Sequence, residues 1–313
     1  MSDRLPTASA TVSSASDAVA VAAVGRHWRA AAGPDAMRRL ASRRIARRPI
    51  AIVSWTVLVL LLGVAVFGPL LVPTNPLFQT SSALLPAGSA GHLLGTDNLG
   101  RDELARLVYG ARPLILVSLA ATALAGLLGV AVGTVAGYLG GRVEGLLMRV
   151  VDLGLALPSV MLIILLVAGL GTGPAGLILG IGISLAPGMA RISRALAARE
   201  RGRDYVTAAR LGGAPAPGIM LGEVLPNMAG QLLAQAAMTL SVAAGFEAGL
   251  SYIGLGIQPP TPDWGYMVAE GQQFLYGAPS LVVLPAVATV IFVVACNFVA
   301  DDLRDAFDPA YGR

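Results

Sequence analysis

The sequence predicts an all-α membrane protein that crosses the bilayer six times, with both ends of the chain on the cytoplasmic side. Three observations predict it. The chain has 313 residues, 55% of them hydrophobic and only 13% charged. A soluble domain carries about 25% charged residues, and a water-exposed fold of this composition would leave too much apolar surface uncovered. Uncharged windows recur at the length of one bilayer crossing, about 20 residues. The basic residues, all 22 of them Arg, fall almost entirely on alternate loops.

Residues 1–36 are rich in Ala, Ser and Val without a sustained period, and a disordered cytoplasmic extension is expected there. The apolar patch Ala18–Val24 is short and follows Asp17, which does not fit a secretory signal. In 37–48, Met37, Leu40, Ala41 and Ile45 fall at helical spacing among arginines, as in a basic amphipathic helix lying on the inner leaflet. No charged residue occurs between Arg48 and Asp97. The first crossing occupies 49–72 and ends at Pro69 and Pro73, which discourage further helix. An external loop over 73–112 follows. The five remaining crossings lie within 113–303. The second is Pro113–Tyr138. Residues 153–190 hold no charge. As one helix they would reach about 57 Å against a hydrocarbon core of about 30 Å. Gly171-Thr172-Gly173-Pro174 divides the run, giving crossings near Leu146–Leu170 and Ala175–Ala195. Met228–Gly256 and Leu281–Ala300 complete the set, and 304–313 is a cytoplasmic tail. This order leaves only Arg101, Arg106 and Arg112 on one side and every other Arg on the opposite side. Basic loops stay in the cytoplasm, which sets the orientation.

Gly129, Gly133 and Gly137 recur every fourth residue in the second crossing, and Gly176 and Gly180 do so in the fourth. That spacing puts small residues on one helix face and lets backbones approach closely. Asp152 stands near the inner boundary beside Arg149, where a local ion pair or a helix-start role is expected. Glu247 stands about nine residues inside the expected outer end at Gly256, roughly 14 Å deep by helical rise. A carboxyl at such depth must face protein or water. It can line the pathway or an outer gate, or it can be a carboxyl hydrogen-bonded between helices.

The composition also excludes activities. Without Lys there is no phosphate-binding loop lysine, so any ATP the system uses must be bound by another polypeptide. A single cysteine, Cys296, forms no intrachain disulfide and no cysteine metal site. His27 and His92 lie apart in polar stretches, where ordinary surface residues are expected. An intramembrane protease would need His-Glu-x-x-His, Gly-x-Ser-x-Gly or a membrane histidine as base, and none is present. No internal repeat supports an autonomous channel or secondary transporter.

The long loop 196–226 between the fourth and fifth crossings contains a short helical piece, Asp204–Leu211, bounded by Gly212-Gly213 and prolines. Asp204 suits the positive end of that helix, where it can cap free N–H groups. Gly213 lets the chain turn sharply. Ala208 and Ala209 leave one face open to a partner's groove. The segment resembles the cytoplasmic loop of ABC importer permeases: Glu-Ala-Ala, three residues, Gly, nine residues, Ile, one residue, Leu-Pro. Ala208, Ala209, Gly213, Leu225 and Pro226 stand in those places, with Thr207 for the family's Glu and Glu223 for its Ile. The string Asp204-Tyr205-Val206-Thr207-Ala208-Ala209 resembles the peptide-importer branch. Gly95-Thr96-Asp97-Asn98-Leu99-Gly100-Arg101-Asp102, Glu247-Ala248-Gly249-Leu250-Ser251-Tyr252-Ile253-Gly254-Leu255-Gly256 and Gln258-Pro259-Pro260-Thr261-Pro262-Asp263-Trp264-Gly265 are similar to C-type permeases of dipeptide, oligopeptide and nickel importers. Asp301-Asp302-Leu303-Arg304-Asp305-Ala306-Phe307-Asp308-Pro309 closes the chain as that family does.

The resemblance implies a type I ABC importer permease fold in the bacterial cytoplasmic (inner) membrane. It implies a transport subunit rather than an enzyme. Peptides are the default cargo; nickel chelates, haem and other small solutes stay open. The chain itself would bind no metal and no cofactor, with ATP and Mg held by two ABC ATPase subunits or domains. The other implied partners are a homologous B-type permease forming a heterodimer, an extracellular or periplasmic solute-binding protein, and membrane lipid; no nucleic acid is implied. Coupling to the ATPases would fall to Asp204, Tyr205, Val206, Thr207, Ala208, Ala209, Arg210, Gly213, Leu225 and Pro226. Asp97, Arg101, Asp102, Asp263 and Trp264 would lie on the loops that face the binding protein.

Overall fold

A computed structural model describes residues 49–307, which are helical apart from turns and the long segment 72–102. The expected extension 1–36, the basic helix 37–48, Trp28 and residues 308–313 lie outside the described residues. Helix α1 is Pro49–Leu71, α2 is Glu103–Leu139, α3 is Gly141–Ala156 and α4 is Ser159–Leu170. Helix α5 is Pro174–Arg201, and α6 is Asp204–Leu211. A single turn α7 (Ala216–Ile219) runs through a π-helical turn, Met220–Val224, into α8 (Leu225–Tyr252). Helix α9 (Trp264–Gly271) and α10 (Ser280–Phe307) follow.

Five of these stretches are long and apolar enough to cross a membrane, counting Ala216–Tyr252 as one. The remaining expected crossing, third in chain order, is a bent pair: α3 and α4 meet at 89°. The expected helix Leu146–Leu170 is therefore corrected to two pieces. The break falls at Leu157-Pro158, where Leu157 is extended (φ −91°, ψ 138°). A residue before proline is pushed out of the helical region by the proline ring.

The second crossing also begins earlier than expected. Helix α2 starts at Glu103, so the loop ends there and not at residue 112. Asp102 caps it, its Oδ1 accepting the Ala105 N–H at 2.8 Å. Pro113 sits inside the helix, which costs one backbone bond but does not end it. At the other end of the chain, α8 closes at Tyr252, short of the expected Gly256.

Helices α2 and α8 stand between two apolar clusters. On one side Leu58, Ala65, Ala111, Leu114, Ile115, Ala244, Phe292, Ala295 and Val299 tie α1 and α10 to α2 and α8. On the other, Val117, Ala121, Ile163, Val167, Leu177, Ile181 and Ala243 tie α4 and α5 to them. The glycine spacing in α2 serves the α5 contact. A Cβ built on Gly133 would lie 2.3 Å from the Ala190 carbonyl oxygen, and one on Gly137 would lie 2.3 Å from that of Arg194. The backbones therefore touch, as small-residue helix seams allow in lipid. Outward, Leu70, Leu153 and Leu165 are exposed, a surface suited to lipid and not to water.

Buried Ser54 is satisfied by the Ile50 carbonyl. Trp55 donates to Asp302 Oδ2 at 3.1 Å and so fastens α1 to α10. Asp152 pairs with Arg191 of α5 at 2.6 Å, which corrects the expected local pair with Arg149. Glu144 of α3 is likewise held by Arg194 of α5. Cys296 is buried in the α10 core.

Candidate functional site

Helix α6 has the bounds that the sequence predicts. It is a two-sided wedge. Val206 is buried, and Tyr205 and Ala209 pack beside it against Tyr138, Ala197, Ile219, Val224 and Met228. Thr207, Ala208, Arg210 and Leu211 face outward, with Leu211 86% exposed. The open face is thus Thr207–Ala208–Leu211. Ala209, expected on that face, belongs to the packed one, because a turn of 3.6 residues separates the two sides.

Two side-chain contacts hold the wedge, and a third joins α5 to α2 beside it. The Tyr205 hydroxyl donates to Glu200 Oε2 at 2.7 Å. Burial, and then this bond to a carboxylate, push the phenol well above its ordinary range, so Tyr205 stays a donor. Arg210 lies over the Tyr138 ring, 4.9 Å from its centre, and its Nε donates to the Tyr138 hydroxyl at 3.2 Å. The Arg201 guanidinium donates to the Leu139 carbonyl at 3.2 Å. Asp204, expected to cap α6, does not: Arg203 occupies the cap position and no side-chain cap bond forms. Asp204 is the first helical residue, where its charge still favours the helix dipole.

Gly213 closes the wedge with φ +79°, a left-handed geometry that admits glycine readily. The chain then re-enters helix at Ala216 and stays helical to Tyr252. The π-helical turn sits just before Pro226, and the Leu225 N–H reaches back to Met220 O across five residues. Proline has no N–H to give, and the wider turn absorbs the mismatch. Half-buried Leu225 and exposed Pro226 lie on this junction. The wedge packs onto the first turns of this crossing helix through Val206, Ile219, Val224 and Met228.

The opposite end of the bundle carries the other predicted residues, and here the structure corrects the expectation. Asp97, Arg101, Asp102, Asp263 and Trp264 are all buried, none more than 7% exposed. They hold the end together and present no surface to a soluble partner. Asp97 accepts the N–H groups of Leu99 and Arg101 at 2.8 and 2.9 Å, and the Arg101 Nε at 2.6 Å. Arg106 also donates to it. Both arginines reach Glu270 of α9, at 2.8 and 2.5 Å. His92, expected on the surface, is bonded to Asp102 Oδ2 at 2.8 Å. Trp264 donates to the Leu107 carbonyl at 2.7 Å and packs into the α2–α10 core. Glu270 was not legible in the sequence. No local spacing announces a partner so distant along the chain.

Glu247 is fully buried, with its Oε1 accepting the Ser251 hydroxyl at 3.1 Å. Because α8 ends at Tyr252, Glu247 lies within two turns of the helix end and not at the expected depth. Asp263 caps α9 by accepting the Tyr266 N–H at 3.1 Å and lies within hydrogen-bond reach of Glu247. Burial pushes the Asp263 carboxyl above its ordinary range, against the bonds it accepts. Among the described residues, no group of three or more His, Cys, Asp or Glu is placed to hold a metal ion.

The described helices form a bundle of membrane length with a short packed helix at one end. Residues 129–313 match the family described as binding-protein-dependent transport system inner membrane component. Residues 37–87 match the N-terminal transmembrane domain of oligopeptide transport permease C. The chain belongs to this family of inner-membrane permeases. It is 42% identical to the dipeptide transport system permease protein DppC of Escherichia coli K12, over 83% of this chain and 88% of that one. It is 40% identical to the di/tripeptide permease DppC of Pseudomonas aeruginosa, covering 80% and 85%. The DppC of Bacillus subtilis is 35% identical, covering 87% and 85%. Among solved structures, an inward-facing form of the MetNI methionine ABC transporter superposes with a TM-score of 0.55 at 19% identity. The match covers 65% of this chain and 96% of that one, a likeness of fold.

Proposed function

We propose that this chain is the transmembrane subunit of an ATP-driven importer of dipeptides and short oligopeptides, working by alternating access. A B-type permease supplies the other half of the pathway, and a solute-binding protein delivers cargo at the outer face. Two separate ATPase subunits bind ATP and Mg and receive the Thr207–Ala208–Leu211 face of α6. The arginine-rich end is cytoplasmic, as the positive-inside rule requires. The observation that carries the reading is the wedge packed onto the first turns of a crossing helix, with Val206 in one buried cluster with Ile219, Val224 and Met228. Through that packing a partner that moves α6 pushes on α8, so nucleotide-driven closure becomes a rigid-body change in the bundle. Asp204, Arg210 and Gly213 orient the wedge, while Tyr205, Val206 and Ala209 fasten it.

The test uses the complete importer in proteoliposomes. A photoreactive cross-linker at Ala208→Cys is expected to capture an ATPase subunit, with yield changing on ATP addition. Uptake of a labelled dipeptide should require ATP and the binding protein. Capture of no ATPase in a complex that transports would overturn the reading. So would ATP-independent uptake by this chain alone.

A further inference from the structure

Glu247 and Asp263 come from different parts of the chain and meet where the return segment 253–263 lies against α8. Both are 0% exposed. Gly265 sets the approach: a Cβ there would lie 2.3 Å from the Ala248 carbonyl oxygen, so segment and helix are in backbone contact. Gly256 is equally tight, with a Cβ reaching 1.9 Å from the Ser251 Oγ. Ser251 donates to Glu247 and accepts the Ile257 N–H at 3.2 Å, joining helix to segment.

The remaining oxygens, Glu247 Oε2 and Asp263 Oδ2, are buried and receive no donor from any protein group. Glu247 faces Asp263 and Ser251. Asp263 is acted on by Glu247, Ser251 and the N–H groups of Gly265 and Tyr266. The charged groups on the adjoining α2, α9 and outer loop are Asp97, Arg101, Glu103, Arg106, Glu270 and the exposed Arg112. Arg101 and Arg106 are spent on Asp97 and Glu270. Tyr252 bonds to Gln272 instead. Two adjacent buried carboxylates without a cation cannot both ionise. One proton between them satisfies both orphaned oxygens.

We propose that Glu247 and Asp263 share one proton and, with Ser251, form a latch that fastens the return segment to the outer end of α8. They are positioning residues: α8 is the helix against which the wedge packs, so the latch ties the outer loop to the piece moved from the cytoplasm. When the proton leaves, two buried charges repel and the segment separates from the helix. Transport then falls as external pH rises through the titration of the pair. The functional half rests on the importer reading; the shared proton does not.

The test is made on two readouts. Infrared difference spectra of the purified chain, wild type minus Glu247→Gln, should show a protonated-carboxyl C=O band at neutral pH that disappears on alkalinisation. Uptake by the complete importer should decline with external pH by about tenfold per unit beyond that titration. Glu247→Gln, whose amide can donate to Asp263 at every pH, should lose that decline. If that variant does not fold, Asp263→Asn replaces it in both measurements. No protonated-carboxyl band at neutral pH would overturn the shared proton, whether or not the chain proves to be an importer. A band that titrates while uptake in wild type and variant declines alike would overturn the latch.

Discussion

Replacing Gly133 by Ala should destabilise the bundle far more than a methyl group suggests. The added Cβ would lie 2.3 Å from the Ala190 oxygen, 2.6 Å from the Ser193 Cβ and 2.8 Å from the Arg194 nitrogen. Comfortable carbon contacts are about 3.5–4.0 Å. Two of the obstructing atoms are backbone, so no side-chain rotation relieves the clash and α2 must move off α5. Overpacking in a filled interior costs about 1–3 kcal/mol. A clash with backbone on a seam shared with Gly129 and Gly137 belongs at the upper part, about 2–3 kcal/mol. That corresponds to a melting point lower by about 4–12 °C. The chain offers its own reporter, because its single cysteine, Cys296, is buried at 1% exposure. A thiol-reactive dye added during heating in detergent labels it only as α10 opens. Gly145→Ala is the control. Nothing lies within 4 Å of a Cβ there, and replacing an exposed helical glycine should be neutral or stabilise by about 0.5–1 kcal/mol. Equal melting of Gly133→Ala and wild type would refute the backbone contact between α2 and α5.

Arg106→Met leaves Asp97 and Glu270 short of a buried cation and should cost about 3–5 kcal/mol, read by the same dye and by faster proteolysis within 78–102. Trp264→Phe keeps the packing but strips the donor from the Leu107 carbonyl, a loss of about 1–3 kcal/mol in melting. Gly213→Val meets no steric neighbour, so its cost of about 1–2 kcal/mol comes from the left-handed backbone alone. In the complete importer it should lower uptake more than ATP hydrolysis, and equal rates for both would count against the turn as the element that aims α6. Asp152→Asn breaks a pair whose members are both more than half exposed and should shift stability by less than about 1 kcal/mol.

The sequence by itself determined the solvent and the wedge. Apolar runs without charge admit only helices, because lipid offers no partner for a free backbone group. The bounds of α6 were legible because Gly212-Gly213 and the prolines act locally, within a few residues. The glycines of α2 announced a close helix contact by their spacing. Tertiary structure alone decided which helix they meet, since α5 comes against them through Ala186, Met189, Ala190, Ser193, Arg194 and Ala197. It decided which side of α6 is open, turning Ala209 inward and Leu211 outward. It bent the third crossing at Pro158, where a hydropathy window registers composition but not direction. It also reversed the reading of Asp97, Arg101, Asp102, Asp263 and Trp264. Charged residues in a loop read as surface until Glu270, remote in the chain, arrives to pair with the arginines. Pairing and burial of ions are long-range events, and a linear pattern carries only what neighbours along the chain impose on one another.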